Sequence, residues 1–284
     1  MGMSINTNLS ALNTYRNLNA TQNDLSKSLE KLSTGLRINR AADDAAGLTI
    51  SEGLKSQVGG LTVAARNAQD GISVVQTAEG GLTETHSILQ RMRDLAVQAG
   101  NDSNNTTSRK AIETEVGQLQ QELGRISEST NFNGINLLDG SAGTDGVMKF
   151  QVGANSGTSS QIDVDLSKSS VKDVAAALTT GDTGILKFDT AKGAQDSIDA
   201  IDEQIQYVSA ARSSLGAVQN RFDHAINVTN VAKENLTAAG SRITDVDMAQ
   251  EMVKYTRDNI LSQAGTSMLA QANQSTQGVL SLLR

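Results

Sequence analysis

The sequence predicts a mainly α-helical protein. Long helices at its two ends pair as a coiled-coil rod, and a small β-hairpin region lies in the middle. Three observations lead to this class. Proline is absent from all 284 residues, where average usage would place roughly 14, and proline is the residue that breaks helix interiors. Apolar residues recur at alternating steps of three and four towards both ends of the chain, which is the period of a helical seam. Aromatic residues make up only 2% and tryptophan is missing, so the core is aliphatic and thin, as a narrow seam requires.

Taken in order, Leu9 and Leu12 lead into Leu18, Leu25, Leu29, Leu32 and Leu36, a first helix that Gly35 weakens. Residues 37–42 read as an irregular joint. Asp43 and Asp44 then suit an N-cap and an acidic first turn, where their charge complements the helix dipole. The second helix is expected from Asp44 to about Ala99, roughly 80 Å at 1.5 Å per residue. Its stripe is Leu61, Ala65, Ala68, Ile72, Val75, Glu79, Leu82, His86 and Leu89, continued by Met92 and Leu95. Gly100–Thr107 is a polar turn. A third helix follows with Ile112, Val116, Leu119, Leu123 and Ile126, and 131–134 end it.

The stretch from about 135 to 190 differs in kind. Val147–Val152 and Gln161–Leu166 alternate as short strands around the turn composition of Gly153–Gly157, which suggests a hairpin. Val171–Leu178 suits a short helix. The fourth helix carries Ile198, Ile201, Ile205, Val208, Leu215, Phe222, Ile226 and Leu236 on one seam, and Gly240 reads as its stop. A fifth, from about Thr244 to Leu283, has Val246, Val253 and Ile260 at seven-residue steps and ends in the apolar cluster Val279, Leu280, Leu282 and Leu283.

Composition removes several function classes. Lys and Arg number 24 against 31 Asp and Glu, a net charge of −7, which opposes nucleic-acid binding. With no cysteine there are no disulfides, thiolate zinc sites, iron–sulfur clusters or cysteine nucleophiles. Two histidines, His86 and His224, do not make a histidine-rich metal site; the first sits on the helical stripe as a packed or rim residue. No nucleophile elbow, phosphate-binding loop, zinc-protease helix or dinucleotide fingerprint is present. Gly140, Gly143 and Gly146 read as a turn. Asp163 and Asp165 read as the outer face of a strand, and Asp245 and Asp247 as an acidic helix start. No catalytic, cofactor or metal site is expected, so a structural or binding role outranks an enzyme. No run approaches the ~18 apolar residues of a membrane span, and Met1–Asn6 lack the basic start and apolar stretch of a secretory signal peptide.

Several motifs resemble one known family. They are Ser4–Leu12 (SINTNLSAL), Leu32–Asn39 (LSTGLRIN), Ala41–Gly47 (AADDAAG), Arg66–Ser73 (RNAQDGIS), Leu89–Gln98 (LQRMRDLAVQ), Asn131–Gly134 (NFNG), Gln263–Asn273 (QAGTSMLAQAN) and Val279–Arg284 (VLSLLR). In this order, and covering about 1–155 and 190–284, they are similar to bacterial flagellins. The departures are Thr276, where related chains often carry proline, and the extra Met1–Gly2.

The resemblance implies a division of the chain. Residues 1–42 and 243–284 would form an inner terminal coiled-coil domain. Residues 43–242 would form an outer rod domain holding the short β region, with the large outer variable domains of many flagellins absent. It implies a subunit that polymerises into the hollow helical filament of the swimming propeller, secreted to the bacterial flagellum. Its partners would be its own copies, the flagellar type III export apparatus, an export chaperone and the filament cap, with no cofactor, nucleic acid or membrane. Leu9, Leu12, Leu25, Leu29, Leu32, Val279, Leu280, Leu282 and Leu283 are the expected assembly interface. The family's contacts to an innate-immune Toll-like receptor map onto Arg91, Leu95, Gln98 and Glu115. The hook–filament junction protein, which shares the terminal pattern, is the alternative.

Overall fold

A computed structural model describes residues 8–180 and 185–282, with side chains through residue 274. Its helices are α1 (Leu9–Thr34), α2 (Ala45–Ala99), α3 (Thr106–Ser129), α4 (Val171–Ala177), α5 (Ala191–Thr244) and α6 (Met248–Leu282). Two hairpins of antiparallel strands lie between α3 and α4: β1 (Asn131–Phe132) with β2 (Ile135–Asn136), and β3 (Val147–Gln151) with β4 (Gln161–Asp165). The chain forms two compact units. One comprises its ends, up to Ser56 and from Asn235; the other is Gln57–Glu234.

In the terminal unit α1 packs along α6. Asn8 caps α1 by accepting from the Ala11 N–H at 3.0 Å, and Gly35 closes it in the left-handed conformation at φ 74°, where a side chain would be strained. The joint at 36–43 is more ordered than its composition suggests. Leu36 bridges Asp245, and the Val246 N–H donates to the Gly35 carbonyl at 3.0 Å. The Arg37 guanidinium donates to the Ile243 carbonyl at 2.7 Å. Asp44 is the cap of α2, accepting from the Gly47 N–H at 2.8 Å. Asp43 serves the joint instead, accepting from the Asn39 and Arg40 N–H groups at 3.1 and 3.0 Å. Those backbone donors, Arg40 first, hold its carboxyl below the usual carboxylate range.

The second unit contains the main core. Leu82, Leu89 and Met92 of α2, Val116 and Leu123 of α3, and Ile201, Val208, Leu215 and Phe222 of α5 are buried together with Leu137, Leu138, Val164 and Leu166. The stripe read for α2 is the face that enters this core, with Ala68, Val75, Leu82, Leu89 and Leu95 buried at its centre. Two glycines of α2 allow close approach. A Cβ on Gly71 would lie 2.6 Å from the Phe222 ring, and one on Gly81 2.6 Å from Leu138. The β3–β4 hairpin lays Met148 opposite Val164 and Phe150 opposite Ile162. Phe150 meets Phe222 edge-on with centroids 5.5 Å apart, a favoured aromatic geometry.

Three sequence readings change. Helix α5 runs through Gly240 to Thr244, because the Thr244 hydroxyl bonds back to the Gly240 carbonyl at 3.0 Å and the glycine keeps helical geometry. Helix α6 starts at Met248, after Asp247 has capped the Ala249 N–H at 2.9 Å. Asn131–Gly134 ends α3 but also belongs to a hairpin, β1–β2, whose tip residues Asn133 and Gly134 have φ of 50° and 78°. Asn-Gly is the strongest short hairpin signal, and it stood in the sequence.

Candidate assembly surface

The less exposed positions of α1 and its cap include Asn8, Ala11, Thr14, Leu18, Thr21, Leu25, Ser28 and Leu32. On α6 they include Glu251, Tyr255, Asp258, Ser262, Gly265, Leu269 and Ala272. Their steps of three and four place each set on one helix face. Gly265 gives room to Leu18, whose Cδ1 would lie 3.2 Å from a Cβ there. Near the far end the Asn8 side-chain amide donates to the Ala272 carbonyl at 3.0 Å. This seam is unusually polar. Ser28 Oγ, Glu251 Oε1 and Asp258 Oδ2 are buried without a hydrogen-bond partner, and Asp258 as a residue is only 9% exposed.

The apolar side chains are largely on the outside. Leu9, Leu12 and Leu29 are 50–68% exposed, and on α6 Met252, Val253, Ile260, Leu261 and Met268 are 50–65% exposed. Ala249, Met252, Val253, Thr256, Arg257, Ile260 and Leu261 line an open groove of about 550 Å³. The seven-residue steps of Val253 and Ile260 therefore mark the face of α6 turned from α1, whereas Glu251 and Asp258 are the seven-step pair turned towards it. Among the expected interface residues, Leu9, Leu12 and Leu29 face solvent, while Leu25 and Leu32 lie half-buried in the pair. The side chains of Val279, Leu280, Leu282 and Leu283 lie outside the described residues.

The second predicted cluster is partly brought together. Arg91 donates Nε and Nη2 to Glu115 Oε1 at 3.1 and 2.7 Å, joining α2 to α3 through an exposed pair. Such a pair contributes only about 0–1 kcal/mol. Gln98 is exposed in the last turn of α2, and its carbonyl accepts from the Asn104 amide at 2.6 Å. Leu95 is 2% exposed and belongs to the core, so it supports this face from behind. Arg109, which no motif singled out, braces the turn by donating to the Ala99 and Asp189 carbonyls, both at 3.2 Å. His86 is half-buried on α2, with Nε2 3.0 Å from the Gln90 amide, and His224 is exposed. Among the described residues no group of three or more acidic or histidine side chains could hold a metal ion, and no helix is long and apolar enough to cross a membrane.

Paired terminal helices with their apolar faces outward, and a helical core closed by hairpins, define a helical structural subunit. The comparisons make the class specific. Residues 5–143 match the bacterial flagellin N-terminal helical region and residues 198–283 the bacterial flagellin C-terminal helical region. The flagellin of Halalkalibacterium halodurans is 52% identical over 282 residues, covering 99% of this chain and 100% of the relative. That of Bacillus subtilis is 48% identical over 306 residues, with 99% and 100% covered. The chain belongs to the bacterial flagellin family. A solved chain described as a flagellar hook-associated protein from Vibrio parahaemolyticus aligns at 15% identity with a TM-score of 0.56, covering 72% of this chain and all of the other; at that identity it speaks for the fold alone.

Proposed function

We propose that this chain is the repeating subunit of a bacterial flagellar filament, built by addition of identical copies and used for swimming. The observation that carries this reading is the similarity to flagellins 52% and 48% identical over 99% of the chain, with family matches at both of its ends. The outward apolar faces of α1 and α6 supply the chemistry for it, because exposed stripes of this kind seek a partner. A second copy is the occupant that a homopolymer requires. Residues 1–42 with 243–284 form the inner contacts of the filament, and 43–242 its outer part. Leu9, Leu12 and Leu29 meet neighbouring copies, while Leu25 and Leu32 hold α1 to α6. Val279, Leu280, Leu282 and Leu283 extend the contact at the chain end. The role is mechanical, not enzymatic.

The same reading has the subunit leave the cell through the flagellar type III apparatus with an export chaperone and be folded into place beneath the filament cap, outside the cell. It also offers Arg91, Gln98 and Glu115, backed by Leu95, as a surface for a Toll-like receptor; receptor signalling by monomeric Arg91→Ala, compared with the parent, tests that surface, and unchanged signalling rejects it. The hook–filament junction role has only fold-level likeness behind it. Seeding purified subunit onto filament fragments and imaging by electron microscopy decides between the two. Open-ended growth to long tubes is expected of a filament subunit; a short, self-limiting collar is the result that overturns it.

A further inference from the structure

The methionines with described side chains divide by location. Met92 is buried in the core and Met148 is half-covered on β3. The other three, Met248, Met252 and Met268, are 49%, 52% and 65% exposed, and all belong to α6. Two of them belong to its outward apolar surface. Met252 lines the groove with Val253, Ile260 and Leu261. Met268 stands seven residues beyond Leu261, in the same position on the helix. Met248 is the first residue of α6 and stands seven residues before Tyr255, in line with the seam that faces α1. The chain has no cysteine, so thioethers are its only sulfur nucleophiles.

We propose that Met252 and Met268 are an oxidation site at which peroxide acts on the free subunit and blocks its addition to a growing end. This rests on the reading of the outward α6 face as a contact between copies. The step is a two-electron oxygen transfer. A sulfur lone pair attacks one oxygen of hydrogen peroxide, the S–O bond forms as the O–O bond breaks, and the proton on the transferred oxygen passes, directly or through solvent, to the departing hydroxide, which leaves as water. Sulfur is oxidised by two electrons and the peroxide is reduced by two. The product sulfoxide is polar where the thioether was apolar and adaptable. A sulfoxide buried against a second copy would lose apolar contact with Val253, Ile260 and Leu261, and its oxygen would have to compete for the donors of Thr256 and Arg257. Once the face is covered by a neighbour, the same thioethers are shielded, so sensitivity is confined to the subunit before assembly.

The test uses full-length subunit exposed to dilute hydrogen peroxide, freed of peroxide, and added to filament seeds. Peptide mass spectrometry reads oxygen addition at each methionine, and light scattering reads elongation. Met252 and Met268 are expected to oxidise well ahead of Met92, and elongation to slow by roughly tenfold or more. Methionine sulfoxide reductase should restore it. The double variant Met252→Leu/Met268→Leu should elongate normally after peroxide, while Met248→Leu should stay as sensitive as the parent. Full oxidation at Met252 and Met268 with unchanged elongation overturns the inference alone, as does loss of elongation that reductase does not reverse. Untreated subunit that never adds to seeds overturns the assembly reading and this inference with it.

Discussion

Single atoms decide several of the packing contacts. The Cβ missing at Gly71 is the space that the Phe222 ring occupies, at 2.6 Å from where it would stand. Phe222 is fully buried and is itself set against Phe150, so the ring has little room to retreat. Gly71→Ala should therefore destabilise the core by about 1–3 kcal/mol despite the better helix propensity of alanine. Combining it with Phe222→Leu should cost less than the sum of the single changes, as read by urea unfolding of the single and double variants. Asp139 makes a comparable local commitment. Burial alone would push its carboxyl up, but the Ser141 hydroxyl and N–H donate to Oδ1 at 2.7 and 2.9 Å and the Asn136 amide to Oδ2 at 3.0 Å. The balance holds it below the usual carboxylate range. Its contribution to stability is thus complete above the unfolded value of about 3.9 and is lost as pH falls through the lower folded value. Asp139→Asn should flatten that part of the acid limb in a plot of Tm against pH; an unchanged limb would assign acid sensitivity to other carboxylates.

At the scale of elements, α1 and α6 form a pair whose inner seam is poorer in apolar groups than its outer face. Ser28 Oγ and Asp258 Oδ2 have been taken from water without a hydrogen-bond partner, a cost of about 1–3 kcal/mol for each such group, and Glu251 Oε1 has Lys254 Nζ beside it at 4.0 Å. Ordering the backbone costs about 1–2 kcal/mol per residue besides. Intrachain pairing is therefore weak until the outward stripes are also covered. Hydrogen exchange should find Leu12–Leu32 poorly protected in the free subunit and strongly protected in the polymer; equal protection in both would reject this account. Asp258→Leu should raise protection of α1 and α6 in the free subunit, since it replaces a buried oxygen that has no hydrogen-bond partner with an apolar side chain. The period of α6 was legible in the sequence from Val253 and Ile260. Its orientation was not, because a seven-residue step fixes that residues share a face but not which neighbour the face meets. The core stripe of α2 and the β3–β4 strands were legible because one face of each is apolar and enters a single core. Leu95 shares its spacing with Arg91 and Gln98, yet it turns inward; its aliphatic side chain also continues the core stripe through Met92, and burial won.

At the scale of the whole molecule, the main buried core and the apolar groove of α6 fall in different compact units. The core that includes Leu82 and Phe222 lies within Gln57–Glu234. The apolar groove and the outward stripe lie on α6, in the terminal unit. Val279, Leu280, Leu282 and Leu283 form a dense apolar cluster in the sequence, which the proposed contact between copies would use. Removing 279–284 should therefore separate folding from assembly. The unfolding transition of the Gln57–Glu234 core, followed by urea titration of the truncated full chain, should keep its midpoint and slope, because every residue of that compact unit is retained. Elongation on seeds should fall below detection, because a subunit lacking part of its contact surface dissociates faster than the next one arrives. Normal tubes from the truncated chain would place the essential contacts entirely upstream, on the α6 groove and the outward leucines of α1. A core that unfolds along with the truncation would show instead that the chain end stabilises the subunit itself.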